Sequence, residues 1–298
     1  MIERLRGQHE LLCQSRVSRE NSPGVEWIRH DLADDSWEIL SGRPIDVVYH
    51  LAGQTSTYQA RHDPRGDLAA NVLGLLGLLE QLKRQTPPPF VVLAGTATEV
   101  GLSAVLPLHE GLPDRPVTFY DVSKLTAEMY LAQYVREKWV NGCTLRLGNV
   151  FGRNQAGQQA DRGIIDRIFR QAVAGKAVTI YGDGHFLRDY VFIDDVVSAF
   201  VAAMEHGERT NGRTFYIGTG QGQSLKEAFA KVIAAAALFT GKRVGLQEVQ
   251  PPPGLSEIET RNAVIDSAAF QEATGWRAQY DFESGLEAAY KEFVAHSR

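Results

Sequence analysis

Only two cysteines, Cys13 and Cys143, occur among the 298 residues, far apart and each inside an apolar run. That argues against a disulfide framework or a metal site and suits two buried thiols in a reducing compartment. No apolar stretch approaches the ~20 residues that a helix needs to cross a bilayer. The opening Met1-Ile2-Glu3-Arg4-Leu5-Arg6 is too charged for the core of a signal peptide. Basic residues are in deficit: 31 Lys and Arg stand against 36 Asp and Glu, a formal charge of -5. An acidic surface has no general attraction for nucleic acid or anionic membranes, so neither is expected as a partner. An anionic ligand would need a few placed Arg side chains and backbone N–H groups. Internal repeats and low-complexity segments are also lacking. The runs Pro87-Pro88-Pro89 and Pro251-Pro252-Pro253 punctuate loops rather than link independent domains. The expected location is the cytoplasm.

What the chain does have is alternation. Short β-branched or apolar runs recur at Leu11-Leu12-Cys13, Val25–Ile28, Ile45–Leu51, Phe90–Ala94 and Thr144–Leu147. Helix-like stretches stand between them, at Gly66–Leu82 with Leu73, Leu76, Leu79 and Leu82 at helical spacing, and at Asp121–Trp139. Strands alternating with helices imply a parallel sheet covered on both faces. The expected fold class is α/β: a doubly wound parallel sheet with a smaller C-terminal lobe for substrate. Residues 1–150 form the expected first domain, to which 190–218 return, and 151–298 form mainly the lobe. Ligands in such sheets bind beyond the carboxyl ends of strands, so chemistry is sought there.

The strongest signal is Tyr120-Asp121-Val122-Ser123-Lys124. A Tyr four residues before a Lys on a helix puts both side chains on one face. The ammonium is then expected to pull the phenol down from its usual range, making it a proton acceptor for an alcohol or a donor for a ketone. Spacing alone proves little, because Tyr134 and Lys138 repeat it. Tyr134 lies 14 residues further along the same expected helix, roughly 20 Å away, where packing explains it. Support for Tyr120 comes from Gly95-Thr96-Ala97-Thr98-Glu99-Val100-Gly101, directly after the buried run. A hydroxyl there, Thr96, can hold the reacting oxygen against the tyrosine; its plainer role would be to cap the strand end.

Taken in order, these motifs resemble the extended short-chain dehydrogenase/reductases of the NAD-dependent epimerase/dehydratase family, which act mainly on nucleotide-diphosphate sugars. The resemblance runs from about Leu5 to Phe293 and implies a Rossmann-type sheet. It takes in Asp31-Leu32, His50-Leu51-Ala52-Gly53-Gln54, Asn71-Val72-Leu73-Gly74, and Thr96 with the Tyr120/Lys124 pair as a catalytic triad. It continues through Arg146–Gly152, Ile180–Gly184, Arg188–Asp195, Ile265-Asp266 and Thr274-Gly275-Trp276. By this resemblance Asp31, Leu32, Leu51, Ala52 and Gly53 lie on the cofactor side, with Tyr120 and Lys124. Thr98, Asn149, Arg188 and Arg261 lie on the substrate side, and the Arg forks suit a diphosphate. The nucleotide-diphosphate sugar is the implied partner, and a homodimer through the helices near Gly66–Leu82 and Asp121–Trp139 is the implied assembly. Asp183 and Asp194 are assigned to a tight turn and a helix start.

One departure concerns the start. The family opens with a strand and a Gly-x-x-Gly-x-x-Gly loop that seats the cofactor pyrophosphate on a helix N-terminus. This chain has neither, and the strand in question would lie mid-sheet. Weak stability and weak cofactor binding by these 298 residues are therefore expected. The cofactor is NADP or NAD. Cys13-Gln14-Ser15-Arg16 offers no acid for the ribose of NAD, whereas Ser15 and Arg16 suit the 2′-phosphate of NADP, which is favoured.

The implied reaction is hydride transfer at a sugar carbinol, leading to epimerisation. NADPH-dependent reduction of a nucleotide 4-keto-sugar is the alternative, and a non-catalytic binding relative is a third reading. Ala97-Thr98 replaces the Asp-Glu of the family's dehydratases, and Glu99, on an extended backbone, would face away. Dehydration is thus disfavoured. Arg153–Gly163 and the C-terminal lobe are expected to set sugar choice.

Overall fold

In the computed structural model, which describes residues 1–34, 36–152 and 163–295, strands and helices alternate as the periodicity implies. The chain runs α1 (Ile2–Leu5), β1 (Leu11–Ser15), β2 (Val25–Arg29), β3 (Val47–His50), α2 (Thr57–His62), α3 (Pro64–Leu68), α4 (Gly74–Leu82), β4 (Phe90–Thr96), α5 (Phe119–Arg136), β5 (Asn141–Leu147) and β6 (Asn149–Phe151). It continues through α6 (Ile164–Val173), β7 (Val178–Tyr181), β8 (Leu187–Phe192), α7 (Ile193–Glu205), α8 (Gly207–Thr210), β9 (Thr214–Ile217), β10 (Gly222–Ser224), α9 (Leu225–Thr240), β11 (Leu246–Val249), α10 (Ala268–Thr274) and α11 (Phe282–Ala295).

Two compact units result. One comprises residues 1–99, 116–145 and 200–214; the other comprises 100–115, 146–199 and 215–298. Part of the expected return segment, 200–214, thus groups with the first unit, while 100–115 groups with the second.

The first unit is built on β4. Its run Val91-Val92-Leu93 is 0–2% exposed, as a strand covered on both faces requires. Helices α4 and α5 bury Leu75, Leu78, Leu79, Leu82, Ala127, Leu131 and Tyr134 in one cluster with Val91 and Leu93. Each fully buried Leu in such a cluster contributes about 1.5–3 kcal/mol. The buried stripe of α4 differs from the expected one, because Leu73 is 40% exposed. A π-helical turn at Ala69–Leu73 links α3 to α4 and shifts the phase of the helix, turning Leu73 outward.

Strand β1 pairs in parallel with β2, Leu11 opposite Val25, and β3 pairs in parallel with β4, Val47 opposite Phe90. The two pairs belong to separate sheets, β1-β2 and β3-β4-β5-β9.

In the second unit β8 lies between β6, parallel to it, and β10, antiparallel to it. Strands β7 and β11 form a separate parallel pair. Phe151, Phe169, Phe192, Phe229, Phe282 and Tyr290 belong to the unit's core cluster. Among the described residues no helix is long and apolar enough to cross a membrane, and no group of three His, Cys, Asp or Glu side chains is placed to hold a metal ion. Cys13 and Cys143 are free thiols, and burial raises Cys143 to about 12.

Candidate active site

Helix α5 starts where Thr118 and Asp121 cap it reciprocally: the Thr118 hydroxyl accepts the Asp121 N–H, and the Asp121 carboxylate accepts the Thr118 N–H, both at 3.1 Å. This places Tyr120 in the first helical turn and Lys124 one turn on. Strand β4 ends at Thr96, close enough to Tyr120 for its hydroxyl to act on the phenol's proton affinity. The structure thus brings Thr96, Tyr120 and Lys124 together in the first unit.

The electrostatics differ from expectation. The Lys124 ammonium is 8% exposed and donates to the Ala94 carbonyl at 2.5 Å. Burial lowers its pKa, against the pull of Glu99, Glu128 and Asp67. The Tyr120 phenol is not lowered but raised, by burial first and then by the negative charge of Glu99, with Asp121 and Asp67 adding to it. Only the Thr96 hydroxyl works the other way. The carboxylates surrounding the pair, which same-face spacing on a helix does not reveal, dominate its titration.

Glu99 accounts for much of this. The expectation of an extended backbone beyond Thr96 is wrong: Ala97–Val100 is a 3₁₀ turn. The turn folds Glu99 back, fully buried, and its Oε1 accepts the Thr96 N–H at 2.9 Å. The direction of Glu99 therefore no longer argues against dehydration; the Ala97-Thr98 sequence still does. Thr98 is 9% exposed and its hydroxyl donates to Asp121. It is thus bonded to Thr96 and Asp121, and its side chain is committed within the first unit.

The decoy pair dissolves in three dimensions. Tyr134 is 5% exposed, donates its hydroxyl to Glu80 and packs edge-on against Trp139. Helix α5 ends at Arg136, and Lys138 lies beyond it with φ 62°, so the two do not share a helix face.

The residues assigned to the cofactor sit at strand ends in the same unit. Leu51, 48% exposed, follows β3 directly, with Ala52 exposed and Gly53 half-buried. An exposed Leu-Ala surface at a strand's carboxyl end fits a nicotinamide ribose, with Lys124 as a nearby donor. Gly53 has no room for a side chain, since a Cβ there would lie 2.6 Å from Asn71 Oδ1. Asn71 in turn donates to Asp67 at 2.9 Å and to the Gln54 carbonyl at 3.0 Å, which holds this loop. His50, the last residue of β3, is buried, and burial with the Lys124 charge takes it down to about 3.

Ser15 ends β1 and its hydroxyl accepts from the Val17 N–H at 3.3 Å and Arg19 Nε at 3.4 Å, with Arg16 exposed beside it. Asp31 is exposed and closes its own turn by accepting the Ala33 N–H at 3.0 Å. Leu32 is buried in the core cluster, and its carbonyl lies against Gly74, where a Cβ would come within 2.4 Å of it.

Of the residues assigned to substrate, three lie in the second unit. Asn149 is half-buried on β6 opposite Tyr190. Arg188 is 4% exposed and spends its fork on backbone carbonyls: Leu187 at 2.9 Å, Glu259 at 2.7 Å, and Arg261. It braces the segment that carries Arg261, whose own Nη1 donates to Ile258 O at 2.8 Å. Gly182 and Gly184 have φ of 65° and 68°, and Asp183 accepts the His185 N–H, which makes Asp183 a turn residue. Asp194 is the second residue of α7. Arg153–Gly163, assigned to sugar choice, lies outside the described residues except for Gly163.

Sequence reading assigned no role to Asp121 or to Asp67. Asp121 sits inside the Tyr-x-x-x-Lys motif, so its place beside Tyr120 was visible. Asp67 lies in the helix stretch with no signal to mark it.

The NAD dependent epimerase/dehydratase family model matches residues 2–218. The UDP-glucose 4-epimerase of Mycolicibacterium smegmatis is 30% identical over 273 residues, 90% of this chain and 83% of that protein. The GDP-6-deoxy-D-mannose reductase of Pseudomonas aeruginosa is 31% identical over 275 residues, 91% and 88% of the two chains. The structure of Thermus thermophilus UDP-glucose 4-epimerase complexed with NAD superposes with a TM-score of 0.82 at 27% identity, covering 98% of this chain and 94% of that one.

Proposed function

Because the chain belongs to the NAD dependent epimerase/dehydratase family, we propose that it is a nicotinamide-dependent enzyme that epimerises a nucleotide-diphosphate sugar through transient oxidation of a sugar carbinol. The observation that carries this reading is Tyr120 in the first turn of α5 with Lys124 one turn on, beside Thr96 at the end of β4. A similar sequence in an NAD-binding epimerase of the same architecture supports it.

When bound, the dinucleotide supplies a hydride acceptor and donor. Tyr120 handles the proton of the sugar hydroxyl and Thr96 holds the phenol in place. Lys124, fixed by the Ala94 carbonyl, presents its remaining N–H groups to the ribose. Leu51, Ala52 and Gly53 form the surface beneath the ribose, and Asp31 and Leu32 line the adenosine side by turn and backbone. Ser15 and Arg16 select the 2′-phosphate of NADP over NAD. Asn149 and Arg261 hold the sugar nucleotide, Arg261 on the diphosphate, with Arg188 bracing it from behind. Thr98 serves substrate through Thr96 rather than by direct contact.

A second reading, reduction of a nucleotide 4-keto-sugar by NADPH, is favoured by the similarity to a GDP-6-deoxy-D-mannose reductase and by Arg16 in place of an acid. Homodimerisation through α4 and α5 is supported by exposed apolar side chains: Leu73 in the π-helical turn before α4, and Val122, Met129 and Tyr130 on α5. Two free thiols suit the cytoplasm.

A screen of nucleotide sugars and 4-keto-sugars tests the function, with absorbance at the reduced-nicotinamide band and product sugar analysis as readouts. Turnover of at least one is expected, lost in Tyr120→Phe. Turnover by Tyr120→Phe within about tenfold of the wild type, well short of the ~10²–10⁴ that acid–base catalysis contributes, would overturn the assignment.

A further inference from the structure

A buried carboxylate ties down the loop assigned to the cofactor's ribose. Gln54 closes the segment Leu51–Gln54 that follows β3. Its side-chain amide donates to the Ser56 carbonyl at 2.9 Å and to Asp67 Oδ1 at 2.8 Å, and its Oε1 accepts the Ser56 N–H. Asn71 donates to the same Asp67 oxygen at 2.9 Å and to the Gln54 carbonyl at 3.0 Å. Asp67 on α3 and Asn71 in the π-helical turn are both buried.

Counting hydrogens shows how firmly the loop is held. Each side-chain amide has two to give. Gln54 spends its pair on Ser56 and Asp67, and Asn71 spends its pair on Gln54 and Asp67. All four are placed, and two of them converge on Asp67 Oδ1. Turning either amide over would set its oxygen against the carboxylate, so the network has one arrangement. Asn71 Oδ1 in turn lies against Gly53, where a Cβ would come within 2.6 Å of it. The loop is gripped at Gly53 by contact and at Gln54 through both side chain and backbone.

We propose that Asp67 is a positioning residue for the dinucleotide: by holding Gln54 and Asn71 it sets Leu51, Ala52 and Gly53, before the cofactor arrives, in the form that receives the nicotinamide ribose. The proposal rests on the reading of this loop as the ribose surface. A loop set in advance has less freedom to lose on binding. Asp67 Oδ2 has no hydrogen-bond partner among the described residues, and burying a carboxylate with one oxygen unbonded is costly. Such a charge calls for an answering one. The Asp67 charge favours the Lys124 ammonium against burial. Asp67 thus serves the loop through one oxygen and, through its charge, the lysine assigned to the same ribose.

Three variants test the tie. Asp67→Ala removes both contacts, Asp67→Asn keeps an oxygen for both donors while dropping the charge, and Gln54→Ala cuts the loop's end. Thermal melts confirm folding of each. In the ligand-free protein, hydrogen exchange at the backbone amides of Leu51–Ser56 should quicken about tenfold in Asp67→Ala and Gln54→Ala, the worth of one hydrogen bond to a charged group, with Val91–Leu93 of β4 unchanged. By calorimetry both variants should bind NAD and NADP about tenfold more weakly, equally for the two because the nicotinamide ribose is common to both. Asp67→Asn should stay within about threefold of the wild type in both measurements, since the hydrogen bonds survive. Three results would each overturn the positioning role and leave the function standing. One is a folded Asp67→Ala with wild-type affinity and wild-type exchange, another a loss confined to one of the two dinucleotides, and the third an Asp67→Asn as impaired as Asp67→Ala. If Asp67→Ala does not fold, Gln54→Ala decides by the first two criteria. A wild type that binds neither dinucleotide overturns the cofactor reading, and the positioning role with it.

Discussion

His50 makes stability depend on pH with a sign and size set by its position. It ends β3 at 7% exposure, near the Lys124 charge, and both effects oppose its protonation. Its pKa falls from 6.5 to about 3. In the unfolded chain the imidazole takes up a proton as pH drops through 6.5, whereas in the folded chain it stays neutral until near 3. Below 6.5 the unfolded state therefore binds more protons, and stability is lost as pH falls, at about 1.4 kcal/mol per unit. Between pH 7 and pH 5 the loss from this group is about 2 kcal/mol. Asp189 and Asp195 act in the opposite sense, because burial holds their carboxyls above the usual range and favours the folded state at low pH. The His50 contribution is isolated by difference, comparing urea unfolding of the wild type and His50→Gln at both pH values. The wild type should lose about 2 kcal/mol more than the variant. A difference that does not change with pH, or a His50 resonance that titrates near 6.5 by NMR, would refute the reasoning.

Further outcomes follow from the same structure. Asp189 Oδ1 accepts the backbone N–H and hydroxyl of Thr219, and Oδ2 accepts the N–H groups of Gly220 and Ile265. Asp189→Asn can satisfy all but one of these donors, so it should cost about 1–3 kcal/mol in chemical denaturation, and Asp189→Ala distinctly more; equal costs would rule this account out. Arg16→Ala should weaken NADP binding about tenfold relative to NAD by calorimetry, the size of one charge-assisted hydrogen bond; an unchanged ratio would remove Arg16 from cofactor choice. Leu73→Glu combined with Met129→Glu should shift the sedimentation coefficient from that of a dimer to that of a monomer while leaving the melting curve cooperative. A wild type that sediments as a monomer would dispose of the interface on α4 and α5.

Legibility varied by element. The β4 strand was plain because five apolar residues in a row leave no solvent face, whereas the reciprocal cap of Thr118 and Asp121 that starts α5 went unread. The buried stripe of α4 was misread at Leu73 because a π-helical turn, which changes phase by one residue, has no counterpart in a fixed 3.6-residue period. Lys138 fell outside α5 for a related reason: its positive φ belongs to the helix terminus, and spacing does not register where a helix stops.

By itself the sequence determined the order of strands and helices, and that Thr96, Tyr120 and Lys124 would meet at strand and helix ends. Periodicity and motif spacing are local properties, and local properties suffice for both. Only the tertiary structure decided how the groups around them act. A 3₁₀ turn folds Glu99 back on Thr96, Ala94 takes the Lys124 ammonium, and Arg188 turns inward to the backbone of Glu259 and Arg261. Those outcomes depend on which partner satisfies a buried charge or donor, and the partners come from distant parts of the chain.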